Sequence, residues 1–167
     1  DFTYLDRFQT LFGQTHLQVR TGAVFGETPI MNRFEGMGNA KRGDQIFKHF
    51  GVSGLNNFET MVPGEFYSDR YFSFNISHKI AGFKFLKQEV FPEFIYRGLI
   101  GDMKNPGDHH NITFQTAEKY YQEAGIEFNQ LIYGIFGIGT YYRFGTYAHE
   151  SFDQNFFLKL TLKFTFF

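Results

Sequence analysis

Histidine, serine and carboxylate side chains are the residue types in this chain that could support catalysis, and they occur in two short runs. The run 149–151, His-Glu-Ser, contains the side-chain types of an acyl hydrolase. A catalytic triad depends on spatial roles that three consecutive loop residues rarely satisfy. His109 and His110 lie near Asp102 and Asp108, which are zinc-ligand types, but adjacent histidines on a loop point apart. We therefore expect no catalytic residue, no bound metal and no cofactor.

Charged side chains at alternate positions form a second group that could have a structural or binding role. They carry both signs, and they are Arg20, Asp69, Lys87, Glu89, Glu93, Arg97, Glu123, Glu127, Arg143, Lys159 and Lys163. Buried charges must be paired to be tolerated, so one interpretation is a structural lattice of ion pairs. The other interpretation is a docking surface for a long returning loop, 27–65. The expected loop and wall contacts are Glu59, Glu65, Asp69, Arg70, Arg97, Glu127 and Arg143.

Composition and charge limit the functions that the chain can have. Its 167 residues include 16 basic and 17 acidic side chains, so a net charge of -1 provides no general field for nucleic acid. Cysteine is absent, which excludes disulfides, thiol nucleophiles and zinc–thiolate sites. No apolar run reaches the ~18 residues of a transmembrane helix. The 25 Phe and 10 Tyr residues indicate an ordered domain unusually rich in aromatic side chains.

The segment 155–167 carries the clearest structural pattern. Its apolar and polar side chains alternate with the strict period of two that is typical of a β-strand with one apolar face. The apolar positions are Phe156, Leu158, Leu160, Leu162, Phe164 and Phe166, and the segment ends on Phe167. The intervening Lys159, Thr161 and Lys163 predict a second, polar face.

Six upstream segments show the same alternation, the first of them more weakly. They are 2–12, 15–26, 66–80, 83–100, 119–131 and 133–145. The pattern predicts short turns at 13–14, 81–82 and 132–133, and long links at 27–65, 101–118 and 146–154. Short turns on one rim and long loops on the other are typical of outer-membrane β-barrels. We therefore predict an all-β fold, an antiparallel transmembrane β-barrel with its apolar face toward lipid.

Periodicity alone leaves two points open. A soluble up-and-down barrel, such as a lipocalin-like carrier, has the same alternation with its apolar face turned inward. Seven strands also do not close an outer-membrane barrel of the usual kind, which has an even number of at least about eight. Either segment 28–50 contains another strand, or the chain is the C-terminal part of a longer barrel, which we expect.

The order of strands and loops resembles the C-terminal half of the sixteen-stranded barrels of the BamA, TamA and FhaC superfamily. Several short stretches of the sequence are also similar to a Bacteroidota outer-membrane family that carries a carboxypeptidase-regulatory-like domain before its barrel. The similar stretches are V-F-G-E-T-P at 24–29, N-N-F-E-T-M at 56–61, G-E-F-Y-S-D-R-Y at 64–71, E-A-G-I-E at 123–127 and T-Y-Y-R-F-G at 140–145. This resemblance implies that 1–167 is the C-terminal portion of one barrel domain, its last six to eight strands, with 27–65 extracellular or folded into the lumen.

The resemblance implies a non-enzymatic protein of the cell outer membrane of a Gram-negative bacterium, with a role in assembly or translocation of envelope proteins. Its implied partners are outer-membrane lipid and lipopolysaccharide, and other envelope proteins, without nucleic acid. The strand 155–167 resembles the signal that the assembly machinery reads, so deletion of Phe167 is expected to lower the amount reaching the outer membrane.

One departure from the superfamily concerns its lumen loop. That loop carries a V-R-G-F or V-R-G-Y motif, whose arginine pairs with an acidic residue on the barrel wall. Residues 57–61, Asn-Phe-Glu-Thr-Met, occupy roughly its place here, with the acid Glu59 where the superfamily has a base. The alternatives to an assembly role are a passive structural barrel or pore subunit of a larger complex, and an outer-membrane lipid hydrolase.

Overall fold

Strands make up most of the computed structural model, which describes residues 1–26, 29–30, 33–36, 38, 57–85, 88–110, 113–131 and 135–162. Period-two alternation with β-branched and aromatic side chains favours extended backbone at these positions. The elements in chain order are β1 (Phe2–Thr10), β2 (Gly13–Ala23), β3 (Phe34–Glu35), β4 (Tyr67–Ser68), β5 (Arg70–Ile80), β6 (Phe83–Phe85), β7 (Gln88–Asp102), β8 (Tyr121–Leu131), β9 (Phe136–Gly145), α1 (Phe152–Asn155) and β10 (Phe156–Leu162).

The strands form one large antiparallel sheet of eight strands, in the order β1-β2-β5-β7-β8-β9-β10, with β6 paired to β7. The seven strands of this path match the seven predicted segments and follow the chain order, so the all-β antiparallel prediction is confirmed. The sheet is not closed, because β1 and β10 lie at its two ends. β3, within the segment 28–50, pairs with β4 in a separate small sheet, and most of that segment lies outside the described residues.

One face of the large sheet is apolar and exposed; we call it the apolar face. The register aligns its members across the strands, as in the row Leu17, Ile76, Tyr96, Ala124, Tyr142 and Phe156. Leu160 on β10 is 75% exposed and Phe94 on β7 is 49% exposed. The alternation predicted for Phe156, Leu158, Leu160 and Leu162 is observed, whereas Phe164, Phe166 and Phe167 lie outside the described residues.

The opposite face, which we call the charged face, is covered instead. Its buried members include Gln18, Ser77, Arg97, Glu123, Asn129 and Arg143. Residues 57–66, which we call the covering segment, lie against this face and share a hydrophobic cluster with Leu99 and Tyr121. Within the described part of the chain, the covered face therefore buries ionised side chains beside a hydrophobic cluster, while the opposite face leaves large apolar side chains exposed.

Two of the predicted short turns are misplaced. β1 and β2 are joined at 11–12, because Thr10 pairs with Gly13, rather than at 13–14. Residues 81–82 do not reverse the chain: β6 continues along β7 after β5, and one extra residue is inserted between them. The facing residue Pro92 has no N–H to donate, which favours such a bulge at this point. The third predicted turn, 132–133, lies outside the described residues.

All three long links leave the same rim of the sheet, as predicted. They connect β2 to β5, β7 to β8 and β9 to β10. A backbone hydrogen bond joins two of these links, from Gln115 N–H to Glu65 O at 2.7 Å, and another ties the β7–β8 link to β7, from Gly101 N–H to Ala117 O at 2.8 Å. The covering segment is thereby held at this rim. No helix among the described residues is long and apolar enough to cross a membrane.

Candidate functional site under the covering segment

The covering segment is held first by packing. Met61 and Phe66 are fully buried against the charged face, and Phe58 is nearly so. The fit is tight: a side chain at Gly38 would bring its Cβ within 2.2 Å of the Met61 carbonyl oxygen. Hydrophobic burial of these three side chains stabilises the segment by ~1.5–3 kcal/mol each. The sequence therefore positions its polar backbone directly above the charged side chains of β7 and β8.

Glu123 on β8 is the centre of the polar contacts. Its carboxylate accepts the backbone N–H of Glu59 at 3.0 Å, the N–H of Thr60 at 2.9 Å and the Thr60 hydroxyl at 2.7 Å. Arg97 on β7 balances its charge through an Nη1–Oε1 contact of 3.0 Å. The same Arg97 nitrogen donates to the carbonyl oxygen of Asn57 at 2.6 Å. One buried ion pair thus binds the backbone of the covering segment through both donors and acceptors.

Glu59 extends this cluster to the last strand. Its carboxylate lies 2.9 Å from Lys159 Nζ on β10 and 3.7 Å from Arg97. Lys159 also contacts Glu127 Oε1 at 2.8 Å, and the Tyr141 hydroxyl donates to the same oxygen. The acid in the covering segment therefore meets bases on the sheet.

Arg143 on β9 forms a second contact. It is buried, and its Nη2 donates to Glu65 Oε1 at 2.7 Å. The other oxygen of Glu65 accepts the N–H of Val62 at 2.9 Å, which closes a turn within the covering segment. The Arg143 guanidinium lies 4.7 Å from the ring centroid of Tyr121, a geometry that favours a cation–π interaction. Glu65 is thus fixed to the sheet and to its own loop together.

Asp69 contacts the predicted loop 27–65, whereas its neighbour Arg70 does not. Asp69 pairs with Arg33, within the predicted loop 27–65, and accepts the N–H of Lys104 at 3.1 Å. Arg70 does not contact the covering segment as expected. Its Nε donates to Asp102 Oδ1 at 2.9 Å at the exposed rim. The reason is the alternation of side chains along β5, which places Arg70 on the opposite side from Asp69.

Five of the seven expected contact residues therefore belong to contacts that hold the loop 27–65: Glu59, Glu65, Asp69, Arg97 and Arg143. Glu127 instead binds Lys159 and Tyr141, which both lie in the sheet. The ion-pair lattice and the docking surface are the same structure, because the paired charges hold the covering segment. Sequence reasoning did not single out Thr60, Glu123, Tyr121, Tyr141 and Lys159 as contacts. The available signal was that Glu123 and Lys159 share a face with Arg97. Lys87 and Lys163 lie outside the described residues.

The run 149–151 is not arranged as a triad. His149 Nε2 lies 3.4 Å from Arg143 Nη1, and the Ser151 hydroxyl donates to Asp153. That hydrogen bond lowers the pKa of the Asp153 carboxyl, with help from backbone N–H groups. The part of the chain that the structure describes also holds no group of three or more His, Asp or Glu side chains placed to bind a metal. The geometry is that of a docking site held by ion pairs.

Gly125 on β8 makes room for the Tyr141 ring, so Gly125→Ala should destabilise the fold by ~1–3 kcal/mol through overpacking. A Cβ there would lie 2.3 Å from Cδ1 of Tyr141, whose hydroxyl binds Glu127. Chemical denaturation of the folded chain measures the change. Gly107→Ala is the matched control, since no atom lies within 4 Å of its Cβ. Equal stabilities of the two variants would contradict this role of Gly125.

Comparison with known proteins does not identify a relative. No protein-family model, no curated protein and no solved structure matches the chain. The site is therefore interpreted from its own contacts.

Proposed function

We propose that this chain forms part of a transmembrane β-barrel in the outer membrane of a Gram-negative bacterium. The observation that carries the proposal is the distribution of side chains on the large sheet. Leu158, Leu160 and Leu162 are each more than half exposed, whereas Glu123 and Arg143 are almost completely buried. In water this arrangement leaves a large apolar surface unprotected. A bilayer removes the free-energy cost of exposing this surface to water, since lipid contacts the apolar face and the barrel interior holds the charges.

The soluble alternative requires the opposite arrangement. In a lipocalin-like barrel the apolar side chains fill the interior and the charged side chains face water. Here the covering segment packs on the charged face, where Glu59 and Thr60 bind Glu123. Placing the apolar face inside would put this segment and its buried ion pairs on the outside. Outer-membrane lipid and lipopolysaccharide are therefore the proposed surroundings of the apolar face.

The proposed barrel is larger than the sheet described here. β1 and β10 are the first and last of seven strands that alternate in direction, so they run the same way. They do not close an antiparallel barrel with each other, and open edges in lipid cost several kcal/mol for each unpaired backbone group. At least one further strand must lie between them. We propose that the seven strands are the C-terminal part of a barrel with sixteen strands, of the kind found in the BamA-like superfamily.

We further propose a non-enzymatic role in assembly or translocation of other envelope proteins. β10 pairs with β9 on one side and has no partner among the described strands on the other, where it presents a regular edge. Such an edge exposes backbone donors and acceptors that pair readily with an incoming strand. The covering segment occupies the inward side of the sheet through Glu59 and Glu65. That occupancy favours assembly over a passive pore, because it fills space that an open channel needs.

Depletion of the protein in its native host tests this role. We expect other β-barrel or surface proteins to fall in the outer-membrane fraction, as measured by quantitative proteomics, while their synthesis is unchanged. A passive pore predicts constant outer-membrane composition and altered permeability instead. Planar-bilayer recordings of the purified protein separate the same two cases. A large steady conductance together with an unchanged proteome would refute the assembly role and support the pore.

A further inference from the structure

β1 has an edge at which specific backbone groups are free to pair. Among the described strands its only partner is β2, and the two-residue connection at 11–12 makes Thr10 and Gly13 a hydrogen-bonded pair. Hydrogen-bonded and non-hydrogen-bonded pairs alternate along an antiparallel ladder. The N–H and C=O groups of Thr3, Leu5, Arg7 and Gln9 therefore point away from β2. These groups are the ones that a further strand binds.

The side chain of Asp6 already binds one of these outward-pointing backbone groups. Its Oδ1 accepts the outward N–H of Arg7 at 2.7 Å, and its Oδ2 accepts the Tyr4 hydroxyl at 3.1 Å. The edge of β1 is thus capped near its middle by a carboxylate. Charges at a sheet edge are a common means by which proteins prevent indiscriminate strand pairing.

The location of Asp6 adds a second constraint. It pairs with Leu17 in the ladder and lies between Tyr4 and Phe8 on the apolar face. No cationic nitrogen of the described residues lies within ion-pair distance of it. An ionised carboxylate on a surface of this kind is costly and tends to be paired where it occurs in membrane proteins. The partner for this charge is therefore missing from the described part of the chain.

We propose that Asp6 selects the strand that pairs with the open edge of β1. That strand carries a lysine or arginine opposite Asp6, on the same face as its apolar side chains. The new ion pair draws the carboxylate away from the Arg7 N–H, which then donates to the incoming strand. Because directly opposite side chains interact across a ladder, the pair also sets the register. The inference rests on the proposed barrel in two respects, a further strand beside β1 and lipid contact of the apolar face.

Peptide binding to the full 167-residue chain, folded in detergent micelles, tests the proposal. The probes are fluorescent peptides of nine residues that alternate valine and threonine, with lysine or glutamate at the central position of the valine face. Fluorescence anisotropy measures affinity, and a benzophenone group placed at Gln9 or at Phe157 reports which edge is bound. We expect the lysine peptide to bind about tenfold more tightly than the glutamate peptide. It should cross-link from Gln9 and not from Phe157.

Asp6→Lys should reverse the preference, and Asp6→Asn should abolish it. Far-UV circular dichroism establishes that each variant is folded; if Asp6→Lys does not fold, the Asp6→Asn chain and the native chain decide the question. Equal affinities of the two peptides for the native chain would overturn the proposal, as would no binding at all or cross-links from Phe157 alone. None of these outcomes bears on the depletion experiment, so a failure here is distinguishable from a failure of the proposed assembly role.

Discussion

Glu123→Ala should lower the free energy of unfolding by ~3–5 kcal/mol, the cost of leaving a buried charge without its partner. Arg97 is 6% exposed and would keep only Glu59 at 3.7 Å as a counter-charge. The N–H groups of Glu59 and Thr60 would also lose their acceptor. Chemical denaturation of the chain in detergent micelles measures the loss. Limited proteolysis should show new cleavage in the covering segment before the sheet itself unfolds.

Two further variants separate the buried charge from a general effect of removing glutamate. Glu150→Ala changes an exposed side chain after β9 and should shift stability by less than ~0.5 kcal/mol. Adding Arg97→Met to Glu123→Ala should recover part of the loss, because the unpaired charge is removed. A double variant as unstable as the sum of both single variants would show that the two residues contribute independently. That outcome would contradict their role as one unit.

Leu160→Lys should destabilise the protein in a membrane, whereas Thr161→Lys should leave its stability nearly unchanged. Leu160 is 75% exposed on the apolar face, and a lysine near mid-bilayer on the lipid face costs ~2–4 kcal/mol. Thr161 is the next residue on β10 and projects to the charged face, where a lysine should be tolerated. Thermal stability of both variants in lipid vesicles provides the comparison. Equal stability would mean that the apolar face does not contact lipid and would restore the soluble alternative.

The strands and their two faces were predictable from sequence because period two is a direct readout of strand geometry. The predicted apolar positions Phe156, Leu158, Leu160 and Leu162 alternate with the others along β10 as expected. The register was not predictable, since it depends on the pairing of whole strands, and this is why Glu127 was expected as a loop contact and Glu123 was not. The turn predicted at 81–82 was wrong because a small-residue pair marks both turns and bulges. Pro92, the residue that favours the bulge, lies on the facing strand.

Arg70 is another residue whose contact was not predicted correctly from the sequence. It was expected among the loop contacts together with Asp69, its neighbour in sequence. The alternation that begins at β5 separates the two side chains, so Arg70 binds Asp102 across the ladder. The predicted strand 66–80 contained both residues, and its alternation places them on opposite faces. Neighbouring residues of a strand therefore do not share contacts, even where both are charged.

The contact between Glu59 and Lys159 has a consequence for the order of folding. The two residues are 100 positions apart in the chain, whereas Glu123 is 63 positions from Thr60. During synthesis from the N-terminus, the covering segment emerges long before the lysine that completes its site. Contacts of such long sequence separation form slowly. We therefore expect Glu59 to lack its lysine partner until β10 has joined the sheet, so that full docking of the covering segment is a late event that depends on completion of the last strand.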